Sequence, residues 1–295
     1  MRLTTKIMTG LILSIFLLSL LSIIGFSFTD RKNYRRKYPN NSIQIPQAEH
    51  QTDINIAPYR VIALETEQTD IASHYYLFKD NTNGLFIQPA TNAAAENTLF
   101  VPETLYDYLS IQTNSDTLTI KIKLNELSEK YGFFKEENGK LKPSILYGVF
   151  ISGVNLYLHT SNINVINTLN EMHTHISHIE TDSIKIYAAG EIHIDSCKAH
   201  VIEPRVKPDY RKINVKNSVA QVLILDLDRV NNWNIDNCEI IARHITGSRR
   251  YNEIKIAGDE RETIVWQPKN ENAELHLKFK GNAAQITYET QPVSD

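Results

Sequence analysis

Glu171, His173, His175 and His178 bring four side chains that could ligate a metal into one short stretch. Histidines at i and i+2 of a strand share a face, and two same-face imidazoles can hold zinc if a third and fourth ligand converge with them. The alternation of Met172, Thr174 and Ile176 marks the opposite face as the buried one. Both histidines are therefore expected in solvent, with no metal. Asp226 and Asp228 form a second pair, opposite Leu223, Leu225 and Leu227. Paired carboxylates can act as an acid–base couple or bind calcium, and some solenoid enzymes use such clusters on acidic polysaccharides. Arg229 adjoins this pair, and Asn214 and Asn234 occupy the nearby outward sites, so a solvated face is the expectation.

A third cluster is cationic. Glu203 to Lys212 contains Pro204 and Pro208 and is expected as a loop ejected from the sheet, because proline cannot donate to an interior ladder. Arg205, Lys207, Tyr210, Arg211 and Lys212 lie on it and form the candidate binding surface, since loops on rigid scaffolds often carry function. The basic turn Gly247-Ser248-Arg249-Arg250, beside Tyr251, is a weaker candidate for an anionic partner. The chain has no Gly-rich phosphate loop, no Gly-x-Ser-x-Gly elbow and no His-Glu-x-x-His motif. A non-enzymatic protein without cofactor is the expectation. A net charge of −3 gives no global electrostatic reason to bind nucleic acid.

The elements that must position these residues follow from a repeat. Asp195-Ser196-Cys197-Lys198-Ala199, Lys216-Asn217-Ser218-Val219-Ala220 and Asp236-Asn237-Cys238-Glu239-Ile240 are similar turns. Each follows an alternating run: Ile192-His193-Ile194, Ile213-Asn214-Val215, Trp233-Asn234-Ile235. A period of about 20 residues between such turns is what a β-solenoid requires, because each coil must return above the last. With only 11 glycines in 295 residues, the turns rely on Asn and Asp, which tolerate left-handed backbone. Cys197 and Cys238 occupy one turn position two coils apart, about 10 Å at about 4.8 Å per coil, beyond disulfide reach. Two free, largely buried thiols are expected.

Residues 7–28 are uncharged and rich in Leu, Ile and Phe, long enough to span a bilayer. With no Ala-x-Ala site at its end, the run reads as an uncleaved single-pass transmembrane helix contacting the lipid bilayer. Arg31, Lys32, Arg35, Arg36 and Lys37 follow it and favour a cytoplasmic body by charge count, yet long domains translocate regardless. An extracytoplasmic body on a bacterial cell membrane is the preferred reading. The layout is then residues 1–37 as anchor and basic flank, 38–58 as linker, 59–148 as an amino-terminal β region capping the solenoid, and 149–295 as the solenoid. About seven coils are expected, with Gly281 to Tyr288 closing the far end. Asn125 to Gly132 is the one good helix candidate beyond the anchor.

The run Asp116-Thr117-Leu118-Thr119-Ile120-Lys121-Ile122-Lys123 and the strand–turn repeats from Ile184 to Ala199 and Ile213 to Leu227 resemble the bacterial GIN-type β-solenoids, the putative autotransporter adhesin head domains. The resemblance covers residues 59–290 in layout, in a chain poorer in glycine than that family. It implies an extracytoplasmic, non-catalytic solenoid. The resulting expectation is an all-β protein, a right-handed parallel β-helix behind one transmembrane helix, that binds a surface glycan or an envelope protein. The alternatives are a polysaccharide-cleaving solenoid using Asp226 and Asp228, or a cytoplasm-facing membrane scaffold.

Overall fold

A computed structural model describes residues 42–46, 50–67, 76–78, 83–130, 134–137, 140–143, 149–207, 211–230, 232–257 and 263–280. Two large sheets face each other across a shared apolar core. Strands of the first sheet run in the order Gln51–Asn55, Thr98–Pro102, Asn155–His159, Gly84–Gln88, His173–Ser177, Ile192–Asp195, Lys212–Lys216 and Asn232–Asp236. Those of the second run Thr263–Pro268, Glu239–Gly247, Val219–Asp226, Lys198–Val206, Glu180–Ala188, Val165–Thr168, Val61–Thr66, Thr117–Ile122 and Leu109–Asn114. From Asn155–His159 onward in the first sheet, and from Thr263–Pro268 to Thr117–Ile122 in the second, all pairings are parallel. The chain alternates between the sheets, one rung at a time, and makes a β-solenoid-like stack of about five turns rather than seven.

Alternation decides which side chains turn inward. In the first sheet one core row runs Leu156, Leu85, Thr174, Ile192, Ile213 and Trp233, and a second runs Leu158, Ile87, Ile176, Ile194, Val215 and Ile235. Most of these are fully buried and belong to one contiguous cluster with Ile62, Ile166, Ile186 and Leu223 of the facing sheet. The period-2 pattern therefore does in each rung what a longer strand does in a sandwich.

From His173–Ser177 onward, each crossing from first sheet to second uses one residue in left-handed conformation: His178 (φ 57), Ser196 (φ 54), Asn217 (φ 49) and Asn237 (φ 52). Among non-glycine residues this region is visited chiefly by polar side chains such as Asn, Asp and His, and three of the four corners use Asn or Ser. The corners stack. Asn237 Nδ2 donates to Asn217 Oδ1 at 2.7 Å, and Asn217 Nδ2 donates to Asp195 Oδ1 at 2.9 Å. At the next position Cys197, Ser218 and Cys238 each bond back to the carbonyl two residues earlier. Both thiols are free; Cys197 is buried and Cys238 only half-buried.

Several expectations change. Val61–Thr66 lies between Val165–Thr168 and Thr117–Ile122, and Gly84–Gln88 lies between Asn155–His159 and His173–Ser177. Strands preceding residue 149 are thus threaded into both sheets, while the antiparallel strands Gln51–Asn55, Thr98–Pro102 and Leu109–Asn114 occupy one end. The stretch expected as an ejected loop is strand through Val206. Beyond Ile202 that strand pairs with Glu180–Ala188 alone, so no neighbour requires the missing Pro204 N–H. The helix spans Leu124–Lys130 and places Asn125 inside its first turn rather than at its cap. No helix among the described residues is long and apolar enough to cross a membrane; residues 7–28 and Gly281 to Tyr288 lie outside them.

Candidate functional site

Aligning the four corners places the residue three positions before each in a single outward row. His175, His193, Asn214 and Asn234 are register partners in that order, and Phe86 and Tyr157 extend the row upward. Their rings stack: Tyr157 on Phe86 at 4.9 Å, Phe86 on His175 at 4.6 Å, and His175 on His193 at 4.4 Å with planes only 5° apart. Asn214 Nδ2 lies 3.2 Å from His193 Nδ1 and ends the aromatic part of the row. The ring faces are taken up by one another, so edges and nitrogens are what the surface presents.

His173 sits two residues before His175 on the same face, and Glu191 stands in the same relation to His193. His173 is buried, at 3% exposure, contrary to the solvent-facing expectation. Gly84, its register partner, leaves room for the aromatic row: a β-carbon there would meet the Phe86 ring at 2.8 Å. A second glycine sets Glu191. A β-carbon at Gly190 would fall 2.1 Å from the Met172 carbonyl oxygen, so only glycine allows the rung to close this tightly. Glu191 Oε2 then lies 3.4 Å from His193 Nε2 and 3.9 Å from His173 Nδ1.

The electrostatics keep His175 and His193 neutral at neutral pH. Burial, with help from His193 and His173, pushes His175 down to about 4. His193 is also lowered, chiefly by burial, with Glu191 opposing the shift. One nitrogen from each of His173, His175 and His193 lies within 4.8 Å of the other two, with His175 and His193 half-buried. Sequence reasoning paired His173 with His175 and missed Glu191 and His193. The missing signal was the corner at His178, whose Ser-His-Ile sequence does not look like its Asp-Ser-Cys and Asp-Asn-Cys equivalents.

Asp226 and Asp228 do come together, with a partner the sequence did not suggest. Lys269 Nζ bridges them, 2.6 Å from Asp226 Oδ1 and 2.9 Å from Asp228 Oδ2, and Arg229 Nε lies 3.6 Å from Asp226. Burial would raise the Asp228 carboxyl, but the Ser248 N–H, at 2.7 Å, and Lys269 hold it below its usual range. An acid–base couple needs one carboxyl to keep a proton. This pair is arranged as an ion cluster instead.

The cationic residues do not form one patch. Arg205 pairs with Glu203 and places its guanidinium 5.5 Å from the Tyr187 ring centroid. Lys207 is exposed. Arg211 is buried, 3.4 Å from Glu171, and Lys212 begins the strand Lys212–Lys216. Tyr210 lies outside the described residues. At the amino-terminal end of the stack an open groove of about 510 Å³ is lined by Ile54, Ile56, Tyr106, Leu109 and Ile111, between the edge strands of the two sheets.

Two in-register sheets joined by stacked left-handed corners define an all-β, solenoid-like protein. No protein-family profile matches the chain, and no curated protein matches it. Among solved structures it is similar to a "putative adhesin" from Bacteroides fragilis NCTC 9343, with TM-score 0.50, 12% identity, and coverage of 81% of this chain and 100% of that one. It is also similar to a "putative lipid binding protein" from Parabacteroides distasonis ATCC 8503, with TM-score 0.41, 14% identity, and coverage of 83% and 100%. A "putative adhesin" from Parabacteroides merdae ATCC 43184 gives TM-score 0.31, 10% identity, and coverage of 83% and 99%. What the Bacteroides fragilis protein shares with this chain is the fold.

Proposed function

We propose that this chain is a non-catalytic binding module of the bacterial cell envelope, an adhesion-like or scaffolding solenoid of the GIN type with right-handed winding. Residues 7–28 hold it in the bilayer, and the body stands outside the cytoplasm. One observation carries the reading: a chain built as a stack of in-register rungs matches, over 81% of its length, the Bacteroides fragilis protein named as an adhesin. The Lys269 bridge supports it further, because it disarms the acid pair on which a polysaccharide-cleaving alternative depends. The contact surface is centred on Arg205 and Lys207, where Lys207 is exposed and Arg205 partly so, and its partner is an acidic surface glycan or envelope protein.

Reporters fused after Asp295 test the placement, one active only outside the cytoplasm and one only inside. An outside signal is expected; an inside signal would overturn the envelope reading in favour of a scaffold on the inner leaflet. Full-length protein is then tested on acidic glycans. Binding without turnover, weakened by Arg205→Glu with Lys207→Glu, is the expected outcome. Product release abolished by Asp226→Ala would replace the module with an enzyme.

A further inference from the structure

Two consecutive rungs place four potential ligands in a two-by-two arrangement. His173 and His175 come from His173–Ser177, and Glu191 and His193 come from the start of the next rung, with His175 directly over His193. All three histidines offer nitrogens within 4.8 Å of one another, and Glu191 Oε2 lies 3.4 Å from one and 3.9 Å from another. We propose that His173, His175, His193 and Glu191 bind one divalent transition-metal ion of the zinc class, tying the two rungs together.

The donor set selects the ion. Three imidazoles and one carboxylate suit zinc and its neighbours, whereas calcium and magnesium prefer oxygen alone. The imidazoles are available as ligands because burial and mutual proximity keep His175 and His193 unprotonated at neutral pH. His173 is buried, while His193 and Glu191 keep 30% and 27% of their side chains exposed, so an ion has a route in from one side.

Binding must rearrange the stack. Ligand atoms about 2.0 Å from a tetrahedral ion are roughly 3.3 Å apart, so histidine separations approaching 4.8 Å must shorten by about 1.5 Å, and the Glu191 carboxylate, which lies outside that three-histidine group, must swing in as well. His175 and His193 lie with planes 5° apart, so their nitrogen lone pairs run parallel and at least one ring must turn about χ2. That torsion is soft for histidine, and a stacking contact is weak beside a metal–imidazole bond. His193 Nδ1 already faces the Asn214 amide at 3.2 Å. Reversing that amide lets its oxygen hold the Nδ1 proton and frees Nε2 for the ion. A positive charge opposes the site: Lys212 lies near enough to His193 to lower its proton affinity, while Arg211 is engaged by Glu171.

The test uses the full-length protein in detergent, stripped with a chelator and titrated with Co²⁺ alone, then with Zn²⁺ against a chromophoric competitor. One Co²⁺ per chain with the intense visible band of four-coordinate cobalt is expected, displaced by Zn²⁺. His193→Phe keeps an aromatic ring in the row and should weaken Zn²⁺ binding about 100-fold while the circular dichroism spectrum is unchanged. Glu191→Gln, at a half-exposed position, should weaken it about tenfold and reads the same site if the first variant fails to fold. Lys212→Met should tighten it several-fold. Absence of stoichiometric binding, or an affinity indifferent to both His193→Phe and Glu191→Gln, would overturn the proposal.

Discussion

Substituting Asn217 tests whether the left-handed corners, rather than the apolar rows alone, fix the coil. Its φ of 49° lies where a β-carbon is penalised, and its amide donates to Asp195 and accepts from Asn237. Asn217→Ala loses both exposed bonds, about 0.5 kcal/mol each, and adds about 1 kcal/mol of backbone strain, for about 2 kcal/mol in all. Asn217→Gly loses the same bonds without the strain and should cost about 1 kcal/mol. The order should invert at Lys216, an exposed strand position, where Ala should be the better tolerated of the two. Urea unfolding midpoints at fixed m-value give all four numbers. Alanine at 217 proving as stable as glycine would refute the reasoning, because the corner would then impose no conformational selection.

Four further outcomes follow from the geometry. In metal-free protein His175 titrates near 4 against about 6.5 unfolded, so the unfolded chain takes up more protons between those values. Stability should be flat above pH 6.5 and decline as pH falls to 4; after discounting for partial exposure the loss from His175 is about 1–2 kcal/mol, and His175→Phe should reduce that slope in urea titrations run across the range, leaving the part that His193 contributes. Lys269→Met should cost about 1 kcal/mol at pH 7 and less at pH 3; Asp228 is depressed when folded, so its stabilising contribution exists above its unfolded pKa and fades as pH falls through the folded one. An equal cost at both pH values would remove the bridge as the cause. Gly190→Ala should destabilise by about 3 kcal/mol in thermal melts, since its β-carbon has a carbonyl oxygen at 2.1 Å; a neutral result would mean that the rung shifts freely. Cys197, buried and pushed up to about 11, should resist a thiol reagent at pH 8 until the protein unfolds, while half-buried Cys238 reacts first.

The repeat was legible because three corners share small polar residues, and those corners are real: Ser196, Asn217 and Asn237 carry the positive φ that the composition required. The free thiols were legible for the same reason, since Cys197 and Cys238 stand at equivalent positions. Threading was not legible. Gly84–Gln88 and Val61–Thr66 alternate like any half-buried strand, and alternation says which face is apolar without saying which neighbour completes the ladder. Pro204 misled because the rule excluding proline from sheet interiors presumes a neighbour on each side, and this strand loses one after Ile202.

Site residues were hidden by the same asymmetry between period and partner. His175 and His193 are 18 positions apart, while the corners that could be recognised repeat at 20 and 21, so the shorter coil broke the pattern where it mattered. In a solenoid, any polar residue at an outward position meets its equivalent one rung away at about 4.8 Å, and a ladder of like residues results. Asparagines resolve that crowding by donating and accepting along the ladder, as Asn237, Asn217 and Asp195 do. Imidazoles resolve it by shedding protons and stacking, as His175 and His193 do, which makes His175 and His193 a stabilising aromatic pair only while neutral. A pair of uncharged imidazoles beside a buried third and a carboxylate is also a ready donor set. The physical demand of stacking like on like thus gathers the donors of the proposed metal site, and what an ion must still overcome is the turn of one ring and the nearby Lys212 charge.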